Sequence, residues 1–428
     1  MELVQRRANI MESSTDTRVP PPSWINHDFI QSALKNAERK KTTIDSMNVL
    51  YANAEGLGYA SLMFRLTVFL RYEDNEETQK KTLIVKTLLE SGALKDIVEK
   101  LDIFKTEAEM LHDIIPQIHE KLSALEKEEF RPLAAKCYQW GRQPVTFLVL
   151  EDLSAAGFKL AEAGQPLNLK HCAVVLRAYA RLHAASVYVL SKQPHYKDKY
   201  SLNMFTDETS LQNLALIATK YINGLANELE KCPGYEQYSE RYRTFANRFI
   251  DVTYERMEKI KKQTKLPVLT HGDCWKNNMM FKYMDEEVSE GRLVDFQCSS
   301  VTSPASDLLY FLYSSASEDV HRHHMEDLLR EYHSTLVDLL RRLGLEEQAE
   351  AYTFEELKKD MDHCLVIGVF FSSFSGMVLT SEKHGAEYAK AFNDQEKMDD
   401  AVYKSFRNPY TLSYLKYLAP LFVNKGIL

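Results

Sequence analysis

The spacing of apolar positions along the chain changes near residue 150. Before that point, short runs dense in β-branched and aromatic residues predict strands bounded by polar turns. These runs cover residues 47–51, 59–71, 82–89 and 145–150. Apolar residues at helical spacing predict one helix at 24–34, ahead of the strands, and another at 97–115, between the third and fourth strands.

After residue 150, helical patterns dominate. They cover residues 172–188, 211–229 and 238–261. The stretch 266–281 interrupts them with two apolar runs around a polar loop, which predicts two short strands joined by a tight connection. Strands first and helices afterwards indicate an α+β, bilobal protein. We divide it into a flexible N-terminus (1–20), a small β-rich N-lobe (21–150) and a larger helical C-lobe (151–428).

Composition and charge narrow the class of protein. A hydrophobic content of 45% and a charged content of 27% are ordinary for a soluble globular protein. The net charge is −8 and no tract is rich in lysine and arginine, so nucleic acid is not expected as a partner. The cysteines are far apart and form no C-x-x-C pair, which argues against a zinc site or a disulfide framework. The sequence shows no apolar region typical of a secretory signal and no run of eighteen apolar residues. We therefore expect a cytoplasmic protein with no membrane span.

The candidate chemistry is concentrated in the loop of the 266–281 stretch. This loop holds His271, Asp273 and Asn278, and Asp295 follows at the end of a later apolar run. An aspartate that orients a hydroxyl, with an asparagine and a second aspartate whose hard oxygens suit Mg²⁺, is the set that phosphoryl transfer from ATP requires. A His-Gly-Asp triplet alone is often just a turn, but the full combination is much rarer. The pattern favours a phosphotransferase over a structural turn with coincidental spacing.

A second signal is the single charge in the middle of the predicted strand 82–89. Both faces of this strand are apolar, so Lys86 requires an anionic partner or must extend its side chain to the solvent-exposed edge of the strand. Glu107 lies inside the apolar stripe of the helix predicted at 97–115. An ion pair between the two would place a lysine on the phosphates of ATP, as in kinase folds. The alternative is that each charge lies at the edge of its element.

Two further segments are candidates for binding the nucleotide. Gly58 and Ser61 lie in a turn between two predicted strands, where backbone N–H groups could approach phosphates. A plain hairpin turn is the simpler interpretation of these residues. Glu151 and Leu153 follow the fourth predicted strand. In a two-lobed nucleotide enzyme this exit is the hinge, and its backbone groups could bind adenine.

Other polar residues have simpler explanations. Asp307 lies at the start of a predicted helix and is interpreted as a helix cap, with a buried bond to the loop of Asp273 as the alternative. The interval between Asp295 and Asp307 is too short for the segment with which a protein kinase docks a polypeptide, so a protein substrate is not expected. The histidine cluster at 321–324 fits a solvated helix start better than a metal site.

These motifs resemble the ecdysteroid kinase-like (choline/ethanolamine kinase-like) family, which is especially abundant in insects. The resemblance covers nearly the whole chain after the first twenty residues. Its most specific part is H-G-D-C-W-K-N-N at 271–278 with V-D-F-Q at 294–297. It also includes P-S-W-I at 22–25, G-Y-A-S at 58–61, V-K at 85–86, F-K-T-E at 104–107, L-E-D-L at 150–153 and L-H-A-A-S at 182–186.

The resemblance implies the protein-kinase-like fold shared with choline kinases and aminoglycoside phosphotransferases, and ATP and Mg²⁺ as cofactors. It implies that Asp273 is the catalytic base and that Asn278 and Asp295 are the metal ligands. It makes Lys86 and Glu107 the phosphate clamp. The N-lobe would bind the nucleotide, and the C-lobe would carry the catalytic loop and the acceptor site.

The implied acceptor is a hydroxyl group of a small molecule, with an ecdysteroid or related steroid alcohol as a plausible substrate. Choline, ethanolamine or a xenobiotic to be detoxified are rival acceptors. A catalytically silent module that only binds a nucleotide or ligand is the alternative from another class of function. The presence of every polar group that the chemistry needs argues against it.

Overall fold

The computed structural model describes residues 21–52, 61–73, 75–88, 102–380 and 395–428. The expected flexible N-terminus (1–20) and the predicted turn with Gly58 lie outside these residues. The described part is a β-sheet followed by a mainly helical region, which confirms the prediction of an α+β protein.

An antiparallel sheet of five strands, in the order β1-β2-β3-β5-β4, forms the N-terminal part. Its strands are β1 (Thr42–Tyr51), β2 (Ser61–Tyr72), β3 (Asn75–Leu88), β4 (Cys137–Gly141) and β5 (Phe147–Glu151). Helix α1 (His27–Glu38) precedes the sheet, and the side chain of Asn26 caps it by accepting a hydrogen bond from the backbone N–H of Phe29. The predicted strand and helix patterns thus fold locally as expected.

The two faces of this sheet belong to different hydrophobic cores, because side chains alternate along a strand. One face, which includes Phe64 and Val85, packs against α1 in a small core. The other face, which includes Ile84 and Leu150, joins a larger core that extends into the helical region. Lys86 lies on this second face because it is two residues after Ile84.

The helix predicted at 97–115 changes its geometry part of the way along. Helix α2 (Ile103–Glu109) passes through a π-helical turn (Met110–Ile114) into α3 (Ile115–Glu126). A π-helical turn has a wider hydrogen-bond spacing than an α-helix, so it shifts the phase of the side chains that follow. The residues on either side of this turn therefore face different neighbours.

The remaining described chain is mainly helical. Its helices are α4 (Leu169–Lys192), α5 (His195–Lys199), α6 (Glu208–Glu230), α7 (Glu236–Asn247), α8 (Phe249–Gln263), α9 (Ala305–Ser315), α10 (Glu318–His323), α11 (Met325–Arg342), α12 (Glu346–Ala351), α13 (Phe354–His363), α14 (Leu365–Ser373), α15 (Gln395–Ser405) and α16 (Thr411–Asn424). The segment 238–261 is helical as predicted, but it forms two helices rather than one. Helices α7 and α8 meet at Arg248, whose φ of −112° and ψ of 9° leave the helical region.

Helix α4 has 24 residues and is long and apolar enough to cross a membrane by length and composition alone. Of its most apolar stretch of eighteen residues, 72% is buried inside the protein. This burial accounts for the apolar sequence, because a central core helix needs apolar residues around most of its circumference.

The short strands around the candidate loop do not form the predicted hairpin. β6 (Val268–Leu269) pairs with β9 (Val301–Thr302), and β7 (Met279–Met284) pairs with β8 (Glu287–Leu293). The tight connection lies instead between β7 and β8, where Asp285 and Glu286 have φ values of 50° and 65°. Positive φ at both central residues is typical of a two-residue hairpin turn. The candidate loop between β6 and β7 is therefore a longer crossing between two separate strand pairs.

Candidate active site

Lys86 forms the predicted ion pair with Glu107. It projects from β3, and its Nζ lies 2.7 Å from Glu107 Oε2 on α2 and 3.1 Å from Asp295 Oδ1. Lys86 and Glu107 are both buried. The alternative that the two charges lie at unrelated edges is therefore wrong. The contact with Asp295 joins this pair to the second half of the sequence motif.

The neighbouring carboxylates keep this lysine charged. Burial alone would lower the pKa of Lys86, but Asp295 and Glu107 more than compensate and raise that pKa well above its usual value. Burial raises the pKa of Glu107, against the opposing effect of the ammonium. The site thus holds a buried cation, which suits the anionic phosphates of a nucleotide.

Asp273 is oriented by three donors. Asn278 Nδ2 donates to its Oδ2 at 2.8 Å, and the Tyr310 hydroxyl donates to its Oδ1 at 2.8 Å. Gln297 Nε2 makes a longer contact of 3.4 Å with Oδ2. Burial and the charge of Asp295 raise the pKa of Asp273, while the hydrogen bonds from Tyr310 and Gln297 act in the opposite direction. The carboxylate is therefore a preorganised hydrogen-bond acceptor.

Asn278 and Asp295 are brought together by the backbone. The N–H of Val294 donates to the carbonyl oxygen of Asn278 at 3.0 Å, so the two chain segments run side by side. Asp295 has a φ of 70°, an unusual conformation for a non-glycine residue, which turns its side chain out of the preceding extended segment. The structure thus gathers Asp273, Asn278 and Asp295 around one point next to Lys86.

These residues fit a divalent cation bound together with phosphates. The amide nitrogen of Asn278 is committed to Asp273, so its oxygen is the atom that can face a cation. Asp295 adds a carboxylate, and Mg²⁺ typically takes one or two such protein ligands with phosphate oxygens and water. Within the described ranges, no group of three or more His, Cys, Asp or Glu side chains is arranged to hold a metal by itself.

The carboxylate of Asp307 binds the backbone of the candidate loop, so the interpretation of Asp307 as a helix cap is wrong. Its Oδ2 accepts the backbone N–H of His271 at 2.7 Å, and its Oδ1 accepts that of Gly272 at 3.0 Å. Helix α9 has Pro304 at its N-cap position and no side-chain cap. Burial would raise the pKa of Asp307, but the contact with His183 holds it below the usual value. The weaker alternative, a buried bond to the loop, is what the structure contains.

Of the residues predicted to contact the nucleotide, Ser61 lies on the sheet face of Lys86, whereas Glu151, opposite Leu83, lies on the other face. Ser61 is buried at the start of β2, two residues before Met63, the partner of Lys86 in the β2–β3 register. Glu151 ends β5, and its backbone N–H and its carboxylate are engaged with Lys136. Leu153 is buried, and its N–H has no hydrogen-bond partner in the described part of the chain. Among the described residues, this N–H is therefore a donor available at the exit of β5, and its contact with the nucleotide stays a prediction.

Two residues of the site were not predicted. Tyr310 lies on α9 and reaches Asp273 only because that helix packs beneath the loop, so no local pattern identifies it. Lys276, inside the sequence motif, is buried and donates from Nζ to the carbonyl oxygens of Glu162 and Gln165. It therefore fixes the loop to a neighbouring turn.

The arrangement as a whole matches the protein-kinase-like fold. A lysine on the third strand pairs with a glutamate on the following helix, and a loop aspartate and asparagine lie next to a second aspartate, which follows the end of β8. Protein kinases use this set of positions for phosphoryl transfer. The fold expected from the sequence is therefore confirmed.

Comparisons with known proteins place the chain in a family. A Plasmodium vivax ethanolamine kinase is 12% identical over 90% of this chain and 84% of its own, with a TM-score of 0.38. The GDP complex of a wild-type aminoglycoside 2'-phosphotransferase-IIIa is 12% identical over 90% of this chain and 98% of its own, with a TM-score of 0.32. No curated protein sequence gives a significant match. The sequence model of the ecdysteroid kinase-like family matches residues 55–345, and the chain belongs to the ecdysteroid kinase-like family.

Proposed function

We propose that this protein is an ATP-dependent small-molecule kinase that transfers a phosphoryl group to a hydroxyl acceptor. Family membership supports a small-molecule kinase in general terms. The observation that carries the proposal is the contact of one buried lysine with two carboxylates. Lys86 Nζ is within hydrogen-bond distance of both Glu107 and Asp295, which joins the phosphate clamp to the metal-binding segment.

Each side chain has a role that follows from its position. Lys86, held by Glu107, binds the phosphates of the nucleotide, and Asn278 and Asp295 hold the divalent cation through their oxygens. When bound, Mg²⁺·ATP supplies the phosphoryl group and a cation that neutralises charge on its oxygens. Asp273 accepts a hydrogen bond from the acceptor hydroxyl and aligns it for attack.

The chemistry asks little of Asp273 as a base, because phosphoryl transfer depends mainly on positioning and electrostatics. Burial raises the pKa of this carboxyl and so makes it a better proton acceptor. The donors Asn278 and Tyr310 prevent the carboxylate from rotating away from the acceptor. Fixed dipoles of this kind require no reorganisation when charge develops.

We further propose an apolar alcohol as the acceptor, with an ecdysteroid or another steroid or xenobiotic alcohol as the plausible substrate. The ring of Tyr310 stacks on Phe371 with centroids 3.4 Å apart and planes 9° apart. This aromatic pair provides an apolar surface next to Asp273, which the Tyr310 hydroxyl contacts. Membership of the ecdysteroid kinase-like family supports the same class of acceptor. A quaternary amine would instead favour a cage of acidic and aromatic side chains.

The test is a screen for ATP consumption over steroids, amino alcohols and plant or drug metabolites, followed by mass analysis of the product. Phosphorylation of choline or ethanolamine alone would replace the steroid acceptor with the rival class. Stabilisation by Mg²⁺·ATP without transfer to any acceptor would support the silent binding module instead.

Asp273→Asn provides the site-specific test. The amide keeps the size and the contact with Tyr310 but removes the negative charge that aligns the acceptor hydroxyl, so phosphoryl transfer should fall to background while Mg²⁺·ATP still binds. We expect the same dissociation constant for Mg²⁺·ATP by calorimetry as in the wild type. Retained turnover in this variant would remove Asp273 from its proposed role.

A further inference from the structure

Arg65 is a charged residue on the sheet face that carries Lys86. In the β2–β3 register Arg65 is directly opposite Ile84, and Met63 is opposite Lys86. In the next strand pair, Leu150 is opposite Ile84. Residues directly opposite each other in antiparallel strands have side chains on the same face. Arg65, Ile84 and Leu150 therefore form one row across the face of the sheet, next to the row of Lys86.

This face is the one turned toward the candidate site. The alternate residues of β2, Phe64 and Leu66, are buried against α1 in the small core on the other side. The Arg65 side chain, in contrast, is 40% exposed. A partly exposed cation thus lies on the sheet face of Lys86, in a row whose other residues, Ile84 and Leu150, are apolar.

An aspartate at the exit of β5 fixes the guanidinium. Arg65 Nε donates to Asp152 Oδ2 at 2.9 Å, and Asp152 Oδ1 accepts the backbone N–H of Ser154 at 3.1 Å. Asp152 is buried, whereas the terminal nitrogens of Arg65 make no hydrogen bond to any part of the chain that the structure describes. The next residue after Asp152 is Leu153, whose unpaired N–H also faces no protein acceptor there. The guanidinium is therefore held at the exit of β5 through its Nε, and its two terminal nitrogens are available to a ligand.

We propose that Arg65 contacts the base of the bound nucleotide and is a specificity-determining residue, an inference that rests on the function proposed above. Lys86 marks the phosphate end of the nucleotide. The row of Arg65 lies two residues further along the strand, a distance of about 7 Å toward the exit at Leu153. A flat, weakly hydrated cation at that distance suits stacking on an aromatic base rather than binding to phosphate.

The same strand provides a matched control. Arg71 also lies on β2 and also pairs with an aspartate: its Nε and Nη2 contact Asp45 Oδ1 at 3.0 and 2.8 Å. In the β1–β2 register Arg71 is opposite Thr43, near the start of β1 and far from the candidate site. Arg65 and Arg71 are thus the same residue type on the same strand, each paired with an aspartate, and they differ in their distance from Lys86.

The experiment compares two ligands by calorimetric titration, Mg²⁺·ATP and Mg²⁺·tripolyphosphate, which has no base. The variants are Arg65→Met, which keeps an apolar stem but removes the planar cation, and the control Arg71→Met. Loss of a stacked cation should weaken Mg²⁺·ATP binding by about 3- to 30-fold and leave tripolyphosphate binding unchanged. Arg71→Met should change neither affinity.

Because Arg65→Met leaves the buried Asp152 carboxylate without a partner, the double variant Arg65→Met/Asp152→Asn is measured in parallel. The amide oxygen introduced at position 152 can still accept the N–H of Ser154, so the turn is kept. Equal weakening of both ligands would show that Arg65 acts on phosphates and would overturn the inference. Unchanged Mg²⁺·ATP affinity in both Arg65 variants would also overturn it, with the kinase proposal intact. A wild-type protein that binds no Mg²⁺·ATP would instead refute the proposed function itself, and this inference with it.

Discussion

Replacement of Gly272 by alanine tests the geometry of the candidate loop most directly. Gly272 precedes Asp273 and has a φ of +83°, in the left-handed region that side chains disfavour. A Cβ at this position would lie 2.0 Å from the carbonyl oxygen of Cys298 and 2.6 Å from its carbonyl carbon. Both atoms belong to the backbone, so no side-chain rotation can relieve the contact. Cys298 follows the segment of Asp295 and Gln297, so the two halves of the site touch at this glycine.

The magnitude follows from two separate contributions. The left-handed conformation costs a non-glycine residue about 1–2 kcal/mol. The contact adds to this, because Cβ atoms essentially never approach closer than 3.0 Å and the distance here is 2.0 Å. Either the loop of Asp273 or the segment after Asp295 must therefore move by about 1 Å. A displacement of that size between catalytic groups can reduce the rate by about 100-fold.

Gly344→Ala separates the two contributions. Gly344 has a φ of +74°, and a Cβ there would have nothing within 4 Å. Urea denaturation should show a loss of about 1–2 kcal/mol for Gly344→Ala, from backbone strain alone, with kcat unchanged. Gly272→Ala should lose about 3 kcal/mol or more and reduce kcat by about 100-fold. Equal losses of stability in the two variants, with full activity in Gly272→Ala, would refute the reasoning that the loop and the Asp295 segment are in backbone contact here.

Two further predictions concern contacts away from this loop. The Tyr200 hydroxyl donates a hydrogen bond of 2.8 Å to Oε2 of Glu109, which lies on the same helix as Glu107. Tyr200→Phe should therefore loosen that helix and raise the KM for ATP severalfold, without changing the KM of the acceptor. Tyr196→Phe is the control, and equal ATP kinetics in the two variants would contradict the prediction. Burial disfavours the charged imidazole of His321 and lowers its pKa from 6.5 to about 4. The contribution of this residue to the free energy of unfolding is therefore complete above pH 6.5. It is lost as the pH falls toward 4, by roughly 3 kcal/mol in total. His321→Gln should flatten the urea-measured stability over this pH range, and a slope as steep as that of wild type would exclude His321 as its source.

Much of the local structure and of the site could be read from the sequence. Strands dense in branched and aromatic residues fold as β2, β3 and β5 because the local preference and the burial pattern agree there. The lone charge in strand 82–89 predicted a partner because a buried ammonium without one is too costly, and Glu107 was the carboxylate in an apolar stripe. Asp273, Asn278 and Asp295 were identified by residue type and spacing, since few side chains combine hard oxygens in this order.

The errors share one physical cause, which is that contacts distant in sequence leave no local pattern. β6 and β7 look like neighbours along the chain, but their pairing was decided by strands further on, β9 and β8. Asp307 has the position of a helix cap, yet its carboxylate is used where α9 packs against the loop of His271 and Gly272. The helix predicted at 238–261 breaks at Arg248 without any glycine or proline to announce it.

The sequence by itself determined the kinds of groups available: a lysine, an asparagine and carboxylates on segments that tend to be strand, helix or loop. Only the tertiary structure decided which of them meet. The approach of Asp295 to Lys86, of Tyr310 to Asp273 and of Arg65 to Asp152 depends on how the sheet and the helices pack. Local propensity acts over a few residues, whereas the free energy of these contacts comes from burial and charge pairing between elements far apart in the chain.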